Sequence, residues 1–225
     1  MIDYHSHVLA GVDDGPKEIG ESVRMLEALR ESGFSDVVLT PHFYSNHRSV
    51  ESFAERRADA LKRLLESTEG RDVPRLHVGA EVYLTELLFN NADLNPVTVG
   101  GRGSLMLTEL PFDPKLSPYC ENLLQRLISE RGIKPVLAHI ERYPFLMEEK
   151  TLVRLLKMGC VAQVNYSAFV SPHRNRRLEH FVKNGYITVF GTDAHSDASL
   201  TEWVNRAIEE MRRIFGAEFV ERIGR

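Results

Sequence analysis

The chain has 225 residues, enough for one large domain or two small ones. Its composition, 43% apolar and 27% charged, excludes a disordered tail, and 28 Lys and Arg against 32 Asp and Glu leave a net charge of −4, without the basic surplus of a nucleic-acid binder. No apolar run approaches the roughly 18 residues of a membrane span, the N-terminus lacks a signal-peptide pattern, and two cysteines, Cys120 and Cys160, cannot build a disulfide scaffold. The expectation is a cytoplasmic protein that neither inserts in a membrane nor binds nucleic acid.

Residues 2–4 read as a first strand, followed by His5-Ser6-His7 and Asp13-Asp14-Gly15-Pro16. Pro16 suits a first helical position, and Ile19, Val23, Leu26 and Leu29 form an apolar stripe behind it. A second strand at 37–39 runs into Thr40-Pro41-His42. Ser49 then caps a helix whose face is Phe53, Ala54, Leu61, Leu64 and Leu65. A third strand at 76–82 carries Glu81 near its end. Segment 95–104 is the least regular part, a small hairpin or a mobile loop. A fourth strand at 105–107 precedes Glu109, and Leu123, Leu124, Leu127 and Ile128 mark the next helix. Strand 135–138 leads to His139, and a helix carries Leu152, Leu155 and Leu156. Strand 161–164 leads to Asn165, a helix is expected over 174–184, and strand 187–190 leads to Asp193 and His195 before a last helix at 199–215. Gly33, Gly132, Gly159, Gly185 and Gly216 stand where helices end. No linker divides the chain, so 1–225 reads as one domain. Seven strand–helix alternations fit a small α/β barrel better than a doubly wound sheet. The latter would carry a Gly-rich phosphate loop after its first strand, where this chain has His-Ser-His.

The polar residues fall at strand ends. In a parallel barrel those ends open onto one face, so His5, His7, His42, Glu81, Glu109, His139, Asp193 and His195 become neighbours. Singly, each has an ordinary reading: Asp14 as a helix cap, Glu81 as an ion-pair partner on a rim, a lone His as a hydrogen-bonded structural residue. Together they sit in runs that are otherwise apolar, where buried ionisable groups are costly unless paired or coordinated. His-x-His sends both imidazoles to one side of an extended segment, which suits two ligands on one metal. Asp14, Glu81, Glu109 and Asp193 would repel one another without cations. Two divalent ions neutralise these four carboxylates; three leave a surplus of two positive charges that attracts a phosphate dianion. Such ions also acidify a shared water enough to supply hydroxide near neutral pH. The mixed His and carboxylate set favours two or three ions of manganese first, then iron or zinc.

His5-Ser6-His7, Asp13-Asp14-Gly15, Thr40-Pro41-His42, Gly79-Ala80-Glu81, Glu109, Ala138-His139-Ile140-Glu141-Arg142 and Gly191-Thr192-Asp193-Ala194-His195 resemble the polymerase-and-histidinol-phosphatase (PHP) superfamily over residues 1 to about 215. The opening HSHVLAGVDDGP and the later HIERY resemble its bacterial metal-dependent protein-tyrosine phosphatases of capsular and exopolysaccharide clusters. The resemblance implies a distorted (β/α)7 TIM-like barrel with up to three metals. His5, His7, Glu81 and Asp193 would hold the first; Glu81 would bridge to a second, completed by Glu109 and His139; Asp14, His42 and His195 would hold the third. Arg142 matches the phosphate-binding arginine. Tyr83 stands where many relatives carry an arginine. The implied substrate is a phosphotyrosine protein, the tyrosine kinase of an exopolysaccharide cluster.

Other expectations follow. Phe43, Tyr44, His47 and Arg48, just past His42, read either as a solvated loop or as an aromatic and cationic lip for a phosphotyrosine ring, with Tyr83 as a further substrate contact. His7 or His195 is the candidate general acid if not fully held by metal. Cys120 and Arg126 satisfy the Cys-x5-Arg spacing of thiol phosphatases, but the intervening residues read as helix, which has no free N–H groups to cradle phosphate. The alternatives are a PHP-type phosphatase of a small metabolite such as histidinol phosphate, a PHP-type nuclease, and a metal-stabilised module without activity.

Overall fold

The computed structural model describes residues 1–170 and 176–223. β1 (Ile2–Ser6) pairs with β2 (Asp36–Leu39), which pairs with β4 (Arg75–Val78). β2 passes through Thr40-Pro41 into β3 (His42–Phe43), and β4 passes through Gly79-Ala80 into β5 (Glu81–Tyr83). These begin a second sheet of order β3-β5-β6-β7-β8-β9, completed by β6 (Leu105–Glu109), β7 (Lys134–Leu137), β8 (Val161–Asn165) and β9 (Val189–Gly191). Every pairing is parallel, and a bridge from Ser6 to Ala194 joins β1 to the segment after β9. The result is a mixed α/β fold whose parallel strands curve as a half-barrel.

The expected third strand is thus broken at Gly79-Ala80, so that Glu81 begins β5 instead of ending a longer strand. A Cβ at Gly79 would meet the side chains of Val38 and Thr40 at 3.1 and 3.3 Å, and buried Arg57 donates to its carbonyl. Gly191 is needed for a closer approach: a Cβ there would lie 2.4 Å from that of His5.

The helices are α1 (Ile19–Glu31), α2 (Val50–Ser67), α3 (Pro118–Arg131), α4 (Glu149–Met158), α5 (Arg176–Lys183), α6 (Leu200–Phe215) and α7 (Ala217–Ile223). Their apolar stripes form the core with the sheet: Met25, Leu26 and Leu29 from α1, Phe53 and Leu64 from α2, Leu123, Leu124 and Leu127 from α3, Val204, Ile208 and Met211 from α6. Each such side chain contributes about 1.5–3 kcal/mol on burial. Ser49 caps α2 as expected, its hydroxyl accepting from Ser52 N–H. Pro16 does not open α1, which starts at Ile19. Its carbonyl instead accepts from Gly11 N–H and closes the loop that carries Asp13 and Asp14. Residues 174 and 175 of the helix expected at 174–184 lie outside the described residues. Segment 95–104 is not a hairpin. Short 3-10 turns at Asn95–Val97 and Val99–Gly101 occupy it, and with another at Glu86–Asn90 they stand where an α-helix would join β5 to β6.

Candidate metal centre

β1 delivers His5, and His7 follows it by one residue. Their Nε2 atoms lie 3.1 Å apart, close to the roughly 3.3 Å edge between two nitrogens bound tetrahedrally to one ion. Oε2 of Glu81 is 3.2 Å from both, and Oδ1 of Asp193 is 3.4 Å from both. These four residues form one group of converging donors. A second joins His42, Glu81 and Glu109, with His42 Nδ1 3.1 Å from Glu81 and 3.9 Å from Glu109. His139 Nε2 borders it, 2.8 Å from Glu81 Oε1 and 3.9 Å from Glu109 Oε1. The third brings His7, Asp14, His42 and His195 together, with Asp14 Oδ1 3.7 Å from His42 and 3.4 Å from His195. Eight of the nine sequence-designated ligands therefore converge, with His139 bordering them, and His42 faces two groups.

Buried Glu81 Oε2, His42 Nδ1 and His139 Nδ1 have no hydrogen-bond partner. Orphaned buried polar atoms in a set of imidazoles and carboxylates are what a bound cation would satisfy. The residues fit divalent metal.

The surrounding hydrogen bonds aim the donors. His7 Nδ1 donates to Asp13 (2.7 Å), turning Nε2 inward; Asp13 also accepts from His42 N–H (2.9 Å) and Gly15 N–H (3.0 Å). Gln163 Oε1 accepts from His5 Nδ1 at 3.3 Å and from His139 N–H at 2.6 Å. Its amide donates to Asn165, whose own amide donates to Asp193. Asp3 accepts from Thr192 N–H and hydroxyl and from His5 N–H, tying β1 to the segment after β9. Asp13, Gln163 and Asp3 are absent from the sequence-designated set. For Gln163 and Asp3 the signal is alternation: Gln163 and Asn165 occupy successive same-side positions of an otherwise apolar strand, and Asp3 shares the odd positions of His5 and His7. Asn165 donates to Asp193, one of the converging donors.

Backbone strain falls here too. His139 (φ +33°) and Asp193 (φ +55°) hold left-handed conformations that non-glycine residues adopt rarely. The turn at His139 starts the Ile140–Arg142 segment and brings the Arg142 guanidinium onto Asp193, at the exposed edge of the centre.

Electrostatics follow from burial. Burial opposes charge on His5 and His7, yet the carboxylates of Glu81, Asp193 and, for His7, Asp13 outweigh it and raise both pKa values. Burial and the neighbouring Glu81 push Glu109 up to about 7. Burial lowers His139 and His42. Asp13, despite burial, is held at about 2 by the imidazole of His7.

The expected lip is changed. Phe43 is buried in the core, its ring 5.1 Å from that of Phe53, because β3 turns it toward α2; it does not face the centre. Tyr44 packs 5.4 Å from His42, 5.4 Å from His47 and 5.7 Å from Tyr83. Tyr44, His47 and Arg48 line a cavity of about 350 Å³ with Val12, Asp13, Asp14 and His42. His7 is fully buried, with Nδ1 on Asp13 and Nε2 among the converging donors. His195 is one-third exposed and stacks on His7 at 4.0 Å. Cys120 and Arg126 both lie in α3; Arg126 is tied to Glu86 and Glu130.

Sheet and site together define an α/β protein with clusters of His and carboxylate donors, fit for divalent metal, at the ends of parallel strands. The chain belongs to the capsular polysaccharide synthesis CpsB/CapC family, whose model matches residues 1–225. It is 29% identical over 227 residues to tyrosine-protein phosphatase YwqE of Bacillus subtilis, covering 97% of this chain and 86% of that one. It is 28% identical over 228 residues to tyrosine-protein phosphatase CpsB of Streptococcus pneumoniae, covering 97% and 92%. A solved chain from the crystal structures of YwqE from Bacillus subtilis and CpsB from Streptococcus pneumoniae, described as unique metal-dependent tyrosine phosphatases, superposes with TM-score 0.80 at 23% identity, over 99% of this chain and 91% of that one. The lactonase Lmo2620 of Listeria monocytogenes shares the fold more distantly, with TM-score 0.55 at 12% identity over 98% of this chain and 90% of that one.

Proposed function

We propose that the centre hydrolyses phosphate monoesters, and phosphotyrosine on proteins above all, without a phosphoenzyme. The observation that carries the reading is the convergence of eight donors, with His139 bordering them, around orphaned buried atoms, with one exposed arginine at the edge. Family membership and relatives named as tyrosine phosphatases support it.

His5, His7, Glu81 and Asp193 would hold one ion, Glu81, Glu109 and His139 a second, and Asp14, His42 and His195 a third, manganese being the first choice. Bound there, the ions supply positive charge against phosphoryl oxygens and acidify water. Arg142 receives a phosphoryl oxygen and neutralises charge that grows in the transition state. Asp13 and Gln163 hold imidazoles in the tautomer that offers a free nitrogen. His195, the more exposed of the two candidate acids, would pass a proton to the leaving oxygen only where the third ion does not hold it. Tyrosine's phenolate, with a pKa of about 10, needs that proton less than an alkoxide does. Asp14 is two-thirds exposed and Arg142 nearly half. So shallow a site suits a residue on a protein surface better than a small metabolite. Tyr44, Arg48 and Tyr83 would flank that residue, and the partner would be the tyrosine kinase of an exopolysaccharide cluster.

For the fold, we read β2 with β3 and β4 with β5 as two bent strands. That gives seven strand positions closed by the Ser6–Ala194 bridge, a distorted (β/α)7 barrel forming one domain over 1–225. The separating experiment is steady-state hydrolysis of a phosphotyrosine peptide and of histidinol phosphate by the Mn²⁺-loaded protein. A higher kcat/KM on the peptide is expected; a higher value on histidinol phosphate would move the assignment to metabolite chemistry.

A further inference from the structure

Phe112 follows β6 by three residues and leaves 61% of its surface in solvent. Its ring stacks on Tyr143, with centroids 5.0 Å apart and planes 13° off parallel, and lies 6.2 Å from the His139 imidazole at 15°. Tyr143 is itself buried and fixed. Its hydroxyl donates to the carbonyl of Leu110 and accepts from Leu110 N–H, and its ring stacks beside His139 at 5.8 Å. Phe112 therefore rests on a rigid base, parallel to a proposed ligand, with its outer face free. Among the described residues it is the one strongly exposed aromatic ring stacked on such a ligand. Tyr44, across the centre, is hemmed by His42, His47 and Tyr83.

We infer that Phe112 is a specificity-determining residue whose free face stacks on the phenyl ring of a bound aryl phosphate. The inference rests on the phosphatase reading above. A phosphoryl group seated over Glu81 and Glu109 lies beside His139, whose Nε2 is 2.8 Å from Glu81. The ring of phosphotyrosine is joined to that group through a single oxygen, so it must lie within about a ring's length of the donors. Phe112 occupies that position over His139. Offset-stacked rings attract beyond simple burial, and an alkyl phosphate such as phosphoserine offers no flat face to match.

The test compares kcat/KM for a phosphotyrosine peptide with that for the same peptide bearing phosphoserine, in Mn²⁺-loaded wild type, Phe112→Ala, Phe112→Leu and Phe112→Trp. The intrinsic advantage of a phenolate leaving group is common to all four proteins, so a change in the aryl-to-alkyl ratio reports the ring contact. Phe112→Ala and Phe112→Leu should lower that ratio roughly three- to tenfold, mainly through KM on the phosphotyrosine peptide, and Phe112→Trp should keep it. Phe112→Leu retains bulk over Tyr143, so a fold defect confined to the alanine variant leaves the comparison intact. An unchanged ratio, whether both substrates slow together or neither does, overturns the inference and reduces Phe112 to a cover for His139. Wild type that hydrolyses neither peptide overturns the phosphatase reading itself, and the inference with it.

Discussion

Among the described residues, Arg142 is the one lysine or arginine paired with a proposed ligand, its guanidinium on Asp193. On the proposed reaction it stabilises charge that exists chiefly in the transition state. Arg142→Ala should therefore lower both kcat and kcat/KM about 10²- to 10³-fold on every phosphate monoester, a loss read by steady-state kinetics. Asp13 acts one bond further out. It accepts from His7 Nδ1 and His42 N–H, so Asp13→Ala frees one imidazole to rotate and unpins another. Titration of the metal-free protein should then give a metal affinity about 10- to 100-fold weaker than wild type, with the melting temperature of the metal-free fold much less affected.

At the scale of the element, α3 decides between two phosphatase chemistries. Cys120 sits in its first turn, buried, and its thiol is pushed up to about 11 by burial and by Asp113. Its N–H is taken by the Ser117 hydroxyl. Such a thiol is no nucleophile near neutral pH, so Cys120→Ser should leave kcat within a factor of about two, whereas a hundredfold loss with the fold intact would point to thiol chemistry. Much of this element structure was legible in the sequence, because helix stripes and apolar strand runs have different periods. The nine donors were legible because polar residues at apolar strand ends are costly without a purpose. What escaped depended on close tertiary approach. Gly79 breaks one expected strand because α2 and β2 crowd it, and Phe43 turns into the core against Phe53 of α2. Asp13 looks ordinary until the imidazoles it orients are beside it. Phe112 gave no signal, since a lone phenylalanine in a loop has no period.

For the whole molecule, metal and protons compete for one cluster. Glu109 is raised to about 7 from an ordinary 4.5, so between these values the unfolded chain releases its proton first and the metal-free fold loses stability as pH rises. His5 and His7 are raised as well. Their stabilisation is complete below about 6.5 and is lost as pH climbs through their folded values. Both effects have the same sign. Ions bind the forms that have lost these protons, so stabilisation by metal grows as pH rises. The rise in melting temperature on adding Mn²⁺ should grow steadily from pH 5.5 to 8, by differential scanning calorimetry. A rise independent of pH would mean that the ions bind elsewhere.

The most direct measurement is turnover of a phosphotyrosine peptide by protein stripped with chelator and verified metal-free by mass spectrometry, before and after Mn²⁺ is returned. Catalysis by the His and carboxylate cluster requires no turnover in the stripped protein and recovery on reloading. Full turnover without metal would contradict it.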